Sequence, residues 1–482
     1  MEKIKNFIAI SKMRCSEYYK HLIVLFLIYL LAFSALMRAN YTYADDIGRT
    51  FDGYHGWLDW SRWTTQILAT FIHAEWHLTD ISPFPQILAC FIMAVAGIIV
   101  LISFKEEREI DIWNISAISI TALAPYFLGS ISYKFDSPYM ALSFLASVLP
   151  FLAKKLSAKI YALTSIFCLL VMCTSYQAYS GVYPMIALLL TMQDLKAGTR
   201  FKESINFLIT SAICYLVSLC VFWLFLMRDN GVSVLSLSHF FPDTFRRYLN
   251  YYKTISSDFT WLWKALIVAI VFLFLYSFCH TAKIQKVLAL LLGIAVIFIN
   301  SILCFGAYLF ISREAFDARA MNGFNIFLAL LAVFISFHVH SYIPRLVYSA
   351  LTWCFFVFSL TYGNALAQEQ IYIDYRVQLA VHDLNDLDIM QTQKTKNFYV
   401  EGSIGMAPVN ENMAKVYPIL KRTIYNGFNV GNLGQYYICN YMNIPNIQSG
   451  SDDHMVSDLP VLKDTMLHTI TGDENNIVLT FK

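Results

Sequence analysis

Phe84–Phe104 reads FPQILACFIMAVAGIIVLISF, 21 residues without one charged side chain. A helix needs about 20 mainly apolar residues to cross the ~30 Å hydrocarbon core of a bilayer. This stretch meets that length, and it is not alone. Working outward in both directions gives further apolar runs at 21–37, 112–131, 138–153, 158–174, 178–193, 205–227, 261–279, 287–311, 324–340 and 345–363. Those at 21–37, 138–153 and 178–193 are short, so about 9–11 transmembrane helices are expected. The pair at 158–193 is interrupted by Ser175-Tyr176-Gln177 and reads as two spans or as one re-entrant hairpin. Composition agrees. The 482 residues are 57% hydrophobic and 14% charged, against roughly 45–50% and about 25% in an ordinary soluble domain. Their mean hydropathy is +0.53. A soluble enzyme, a secreted disulfide scaffold and a disordered chain are excluded. A net charge of +2 leaves no concentrated basic face for a nucleic acid. The chain reads as an α-helical polytopic membrane protein.

Lys and Arg in short loops set the orientation of such a protein. Segments 1–20, 105–111, 154–157, 194–204, 280–286 and 341–344 are dense in them, from Lys3 to Arg345, whereas the longer opposite loops hold fewer. This predicts a cytoplasmic N-terminus and, after an odd number of spans, a periplasmic C-terminus. The first run reads as an uncleaved anchor, because its basic leader is long and no small-x-small site precedes Arg38. Of ten cysteines only Cys439 falls on the outer side, so no disulfide framework is expected.

Two polar regions break the hairpin rhythm. Residues 38–83 form a long outer loop within a membrane domain spanning 1–363. Residues 364–482 form a tail long enough for a small folded domain. In the tail, Val377, Ala380, Val381 and Leu384 recur at helical spacing, predicting an amphipathic helix over 372–389. Residues 397–403 and 476–481 read as strands. A compact α/β domain outside the membrane follows. Its segments Tyr425-Asn426-Gly427-Phe428-Asn429 and Gln435-Tyr436-Tyr437 read either as sugar contacts or as the domain's own core.

The spans hold no Asp or Glu, and their only interior cation is Lys264 near one end. Ion-coupled transport needs intramembrane carboxylates, so a transporter is disfavoured. Charge chemistry belongs at the outer face. There the first loop reads Tyr43-Ala44-Asp45-Asp46-Ile47-Gly48-Arg49, then Asp52-Gly53-Tyr54, Trp57 and Trp60-Ser61-Arg62-Trp63. Asp45 or Asp46 could serve as a general base or a metal ligand, or simply cap a short helix. Trp60, Trp63, Ile67 and Phe71 share a helical stripe suited to the membrane interface. Trp57 lies off that stripe and has a sugar-stacking reading beside the anchoring one. Arg49, Arg62, Lys134, Arg313 and Arg319 are outer cations. They either clamp a phosphate bidentately or merely meet lipid headgroups.

The arrangement Tyr43-x-Asp45-Asp46-x-Gly48-Arg49, Gly53-Tyr54-x-Gly56-Trp57, Arg62 and Asp80-Ile81-Ser82-Pro83-x-Pro85-Gln86 resembles the bacterial serotype-converting O-antigen glucosyltransferases of the Gtr type. The match is specific over about residues 40–90 and plausible along the whole chain. It implies a GT-C-like glycosyltransferase in the bacterial inner membrane. Such an enzyme moves glucose from a polyprenyl (undecaprenyl) phosphate donor to the O-antigen of lipopolysaccharide on the periplasmic side. It implies Asp45 or Asp46 as the base, inversion at the anomeric carbon, and Arg49, Arg62 and Arg319 as ligands of the donor phosphate. Tyr54, Trp57 and Lys134 are expected to contact substrate. No cofactor and no metal is implied, since Asp45-Asp46 lacks a third outer carboxylate at ligand spacing. Functional partners would be a flippase and a polyprenyl-phosphate glucosyltransferase. One departure is Ser312-Arg313-Glu314-Ala315-Phe316-Asp317, which lacks the proline expected before Arg319. The rival readings are an O-antigen polymerase or ligase, built on the 228–260 loop, and a polyprenyl-linked sugar flippase.

Overall fold

The computed structural model describes residues 2–105, 109–228, 235, 240–311, 316–392, 394–424, 433–442, 444, 446–450 and 459–482, with side chains from Tyr18 onward. Helix α1 (Glu2–Ala39) leads into the first loop, which holds α2 (Asp46–Asp52) and α3 (Trp63–His73). There follow α4 (Phe84–Phe104), α5 (Ile112–Leu123), α6 (Leu128–Ile131), α7 (Ser137–Val148), α8 (Ala158–Ser175), α9 (Val182–Lys196) and α10 (Phe201–Val221). The bundle is completed by α11 (Phe240–Asp258), α12 (Trp261–Thr281), α13 (Lys286–Leu303), α14 (Asn322–His338) and α15 (Tyr342–Asn385).

Among the described residues, eight helices are long and apolar enough to cross a membrane, or nine when the bent pair Ile112–Leu123 and Pro125–Ile131 counts as one span. The 46° bend in that pair sits at Pro125, which forces Ala124 out of the helical region, to ψ 144°. The runs expected at 138–153 and 178–193 are helical but short, as Ser137–Ala153 and α9.

Polar contacts sort the loops into two ends. At one end Lys105 Nζ meets the Tyr18 hydroxyl at 2.9 Å, Gln193 Nε2 donates to the Phe104 carbonyl at 3.2 Å, and Lys154 pairs with Asp194 at 2.8 Å. Arg345 and Asp111 lie at the same end, 3.7 Å apart. At the other end the Lys134 N–H reaches Asp46, Thr65 Oγ1 donates to the Ser175 carbonyl at 3.1 Å, and Ala307 N donates to Ser180 Oγ at 2.9 Å. The basic loops thus gather at one end and the first loop's neighbours at the other. Every apolar run connects the two. Helix α14 lies at the centre with all of its apolar window buried.

Helix α15 continues as one rod without interruption past residue 363. Its final turns bury Ile373, Val377, Ala380 and Leu384, the face anticipated for 372–389. Beyond it come β1 (Lys396–Gly402), α16 (Pro408–Val416), α17 (Leu420–Thr423), α18 (Leu433–Tyr441), β2 (Ile447–Ser449), β3 (Val461–Asp464), β4 (His468–Gly472) and β5 (Asn476–Phe481). The sheet order is β2-β1-β5-β4-β3, with β1 parallel to both neighbours and β3-β4-β5 antiparallel. Two buried charges bind this domain to the rod. Glu369 accepts from Ala407 N at 3.0 Å and Asn410 Nδ2 at 2.8 Å, and Arg376 donates to the carbonyls of Leu467 and Lys482 at 2.7 and 2.9 Å.

Candidate active site

The first loop turns into α2 at Asp45, and Gly53 ends that helix in the left-handed conformation (φ +61°) that glycine tolerates best. Asp45 occupies the N-cap position, yet its backbone is already helical (φ −59°, ψ −19°) and its side chain makes no capping bond. Its carboxylate is exposed, and no described residue pairs with it. Asp46 differs in every respect. It is fully buried, its Oδ2 accepts the Lys134 N–H at 2.8 Å, and its Oδ1 has no hydrogen-bond partner. Burial pushes this carboxyl well above its ordinary pKa. The charge of Asp136 adds to the rise, while the Lys134 N–H and the Arg49 charge oppose it.

Asp136, at the start of α7, anchors the loop. One oxygen takes the Arg49 guanidinium and the other accepts Trp57 Nε1 at 2.5 Å, with Arg62 Nη1 at 3.8 Å. Arg49 is buried, and its remaining donors face the His55 carbonyl at 3.4 Å. Trp57 is 0% exposed, covered by the Arg49 guanidinium at 4.6 Å and by Tyr139 edge-on at 5.7 Å. The indole, expected to contact substrate, is thus packed inside the folded loop. Lys134, also expected to contact substrate, is buried too, with Nζ on Asp80 at 3.0 Å, which braces the loop. Asp80 also accepts the Ser82 N–H at 2.9 Å. These hydrogen bonds and the Lys134 charge outweigh its burial and hold its carboxyl below the ordinary range. Of the three expected substrate contacts only Tyr54 is open, 41% exposed.

The cations separate in the same way. Arg49, expected among the phosphate ligands, is buried and paired with Asp136. Arg62 is mostly buried, lies over the Tyr176 ring at 4.9 Å, and keeps its Nε without a partner. Arg319 lies over the Tyr133 ring at 4.7 Å, and among the described residues no carboxylate or carbonyl takes its guanidinium. Tyr176 and Asp45 both lie near enough to influence it electrostatically. An open carboxylate thus lies within electrostatic reach of an uncommitted guanidinium that stands over Tyr133 and near Tyr176. Sequence reasoning passed over Asp136 and the two tyrosines, although Asp136-Ser137-Pro138 carries a helix-start signal.

Of the stripe anticipated over Trp60, Trp63, Ile67 and Phe71, Ile67 and Phe71 are exposed on α3, whereas Trp60 lies in the separate turn Leu58–Trp60 and Trp63 is half-buried with Nε1 on the Leu226 carbonyl at 2.7 Å. Residues 312–315, 425–432 and 451–458, which include Arg313 and the Tyr425–Asn429 segment, lie outside the described residues. Gln435 is buried on Ser449 Oγ and the Gly450 carbonyl, Tyr436 donates to the Asp52 carboxylate, and Tyr437 stacks on Tyr441 at 4.8 Å. These groups serve packing. One described group has metal-ligand spacing, His382, Asp383 and Asp386 on α15, but Asp383 already bonds His468 Nε2 at 3.1 Å and none of the three is in the first loop.

The profile of the glucosyl transferase GtrII family matches residues 34–336. The chain belongs to the glucosyl transferase GtrII family. The match takes in the whole first loop, Tyr133–Asp136, Tyr176 and Arg319, so every group of the site lies within it. Membership makes the chain a membrane-embedded glycosyltransferase, in a family that places it in O-antigen glucosylation. A protein of Salmonella phage P22, described as an uncharacterized 55.3 kDa protein in the gtrB 5′ region, is 21% identical over 401 residues, 79% of this chain and 81% of that one. No solved structure matches the chain.

Proposed function

We propose that this GtrII-family protein transfers glucose from polyprenyl phosphate-glucose to an O-antigen sugar on the periplasmic side, with inversion. The observation that carries the reading is that exposed Asp45 lies within electrostatic reach of uncommitted Arg319, at the end of the bundle away from the basic loops. Asp45 takes the proton of the acceptor hydroxyl as its oxygen attacks the anomeric carbon. The bond from that carbon to the phosphate oxygen breaks, and Arg319, assisted by Arg62, offsets the charge left on the phosphate. A single displacement inverts the anomeric centre. Arg49, Lys134, Asp80 and Asp136 hold the loop in place, Tyr54 lines the entrance, and the tail contributes to acceptor recognition. A flippase and a polyprenyl-phosphate glucosyltransferase would supply the donor. Among the described residues of the 228–260 loop, Arg246 pairs with Asp243 at 3.3 Å, buried Arg247 bonds the Ile311 carbonyl and Arg228 lies over the Trp63 ring at 4.8 Å.

Purified protein given undecaprenyl phosphate-glucose and extracted O-antigen should yield a glucosyl branch of anomeric configuration opposite to the donor's. Arg319→Ala should slow this reaction about 10²–10³-fold, the effect of removing one preorganised charge-stabilising donor. Retained configuration, or an unimpaired variant, rejects the reading. For orientation, alkaline phosphatase fused after Lys482 should be active, since it matures only in the periplasm. A cytoplasmic fusion would put the site on the wrong face.

A further inference from the structure

Arg422 and Thr423, at the end of α17, touch both halves of the site from one point. The Thr423 carbonyl accepts the hydroxyls of Tyr43 and Tyr362 at 2.8 and 3.0 Å. Tyr43 lies two residues before Asp45, and its ring meets Tyr133 edge-on at 5.0 Å. The Arg422 guanidinium bonds the Asp258 carboxylate and the Phe316 carbonyl and lies 3.5 Å from Met321 Sδ. Phe316 and Met321 bracket Arg319, which sits in the short turn Ala318–Met321.

The opposite side of that turn is held by the bundle. Asn322 Nδ2 donates to Ser130 Oγ and to the Arg319 carbonyl, both at 2.9 Å. Gly129 packs so closely that a β-carbon there would stand 2.9 Å from Arg319 N. Asp258 is itself buried and accepts the Tyr126 hydroxyl at 2.8 Å. Arg422 therefore joins three separate stretches of chain: the end of α11, the loop before Arg319 and the tail. The guanidinium reaches these acceptors through two separate nitrogens, Nη1 to Asp258 and Nη2 to the Phe316 carbonyl, whereas a lysine would have to bring both to one nitrogen. The Arg319 guanidinium, for its part, has no described partner beyond the Tyr133 face. Its place depends on where the backbone of its turn is held.

We infer that Arg422 is a positioning residue for glucosyl transfer, holding the Arg319 turn at a set distance from Asp45 so that the tail domain fixes the spacing of base and cation. The inference rests on the reading of Arg319 as the cation for the donor phosphate. It assigns the tail a part in the chemistry's geometry in addition to acceptor recognition, and it needs no contact between Arg422 and substrate.

A double-mutant cycle between positions 319 and 422 tests it on the full-length protein, read by binding of undecaprenyl phosphate in micelles and by kcat and KM for the donor. Arg319→Ala should weaken binding about tenfold or more, as expected for losing a charged hydrogen-bond partner. Arg422→Ala should weaken it comparably, and the double variant should be no worse than the weaker single. Arg422→Lys keeps a positive charge beside Asp258 but offers one nitrogen in place of the two that reach Asp258 and the Phe316 carbonyl, which loosens the hold on the Arg319 turn. It should raise KM for the donor while leaving KM for the acceptor unchanged, and it carries the test if Arg422→Ala does not fold. Multiplying effects in the double variant, or a normal donor KM in Arg422→Lys, overturn the inference. Unchanged undecaprenyl phosphate binding in Arg319→Ala would instead sink the donor reading. Coupling between the two positions in kcat would then still decide whether Arg422 positions Arg319.

Discussion

Asp45→Asn should lower glucosyl transfer about 10²–10⁴-fold, the contribution of a positioned general base, in a protein that still folds. The substitution preserves size and hydrogen-bonding shape. Asp45 also makes no capping bond and no ion pair with a described residue, so nothing structural is lost. Asp46→Asn should behave differently. An amide oxygen can still accept the Lys134 N–H, and the buried carboxyl already favours its neutral form. Activity should fall far less than in Asp45→Asn. The sign of the pH effect follows from the same burial. A folded pKa above the unfolded one contributes stability that is complete at pH below the unfolded value and is lost as pH rises through the folded one. Asp46→Asn should remove that component, flattening the melting temperature from acidic to neutral pH. Comparable activity in both single variants would show that the exposed carboxylate is not the base.

Asp136→Ala should be the most damaging structural change in the site. It leaves the Arg49 guanidinium buried without its counter-charge, strips Trp57 Nε1 of its acceptor, and frees Arg62. Breaking a buried ion pair from one side costs about 3–5 kcal/mol, a large part of the stability of most domains. The expected result is little accumulated protein and a strongly lowered thermal midpoint in detergent. Asp136→Asn, which can still accept the indole N–H, should fall between the variant and the parent. A normal yield and midpoint for Asp136→Ala would mean that Arg49 finds another partner, and that the loop does not depend on this hub.

Much of the architecture was legible because it follows from local rules. An apolar run of given length becomes a helix across the bundle whatever surrounds it, since backbone groups in hydrocarbon have no other way to be satisfied. The alternation of basic and less basic loops anticipated which loops meet at each end. Strands β1 and β5, short apolar runs bounded by Asn, Gly and Asp, and the amphipathic end of α15 carried signals of their own. The short strands β2, β3 and β4 did not, because three to five residues on a sheet made of distant segments carry little pattern of their own.

The site itself shows the limit most clearly. Asp45 and Asp46 are chemically identical neighbours, and their sequence context assigns either one to catalysis. Burial separates them, and burial is decided by Lys134 and Asp136, about 90 residues along the chain. Arg49, Arg62 and Arg319 are likewise the same residue type near the same bundle end. Their difference lies in whether a carboxylate from another segment reaches each guanidinium. The sequence by itself determined the membrane class, the candidate helices and the loop proposed to carry the chemistry, because hydrophobic length and spacing act locally. Only the tertiary structure decided which carboxylate is open, which cation is uncommitted and which tail residue holds them apart, because solvation and charge pairing depend on segments that meet only after the chain has folded.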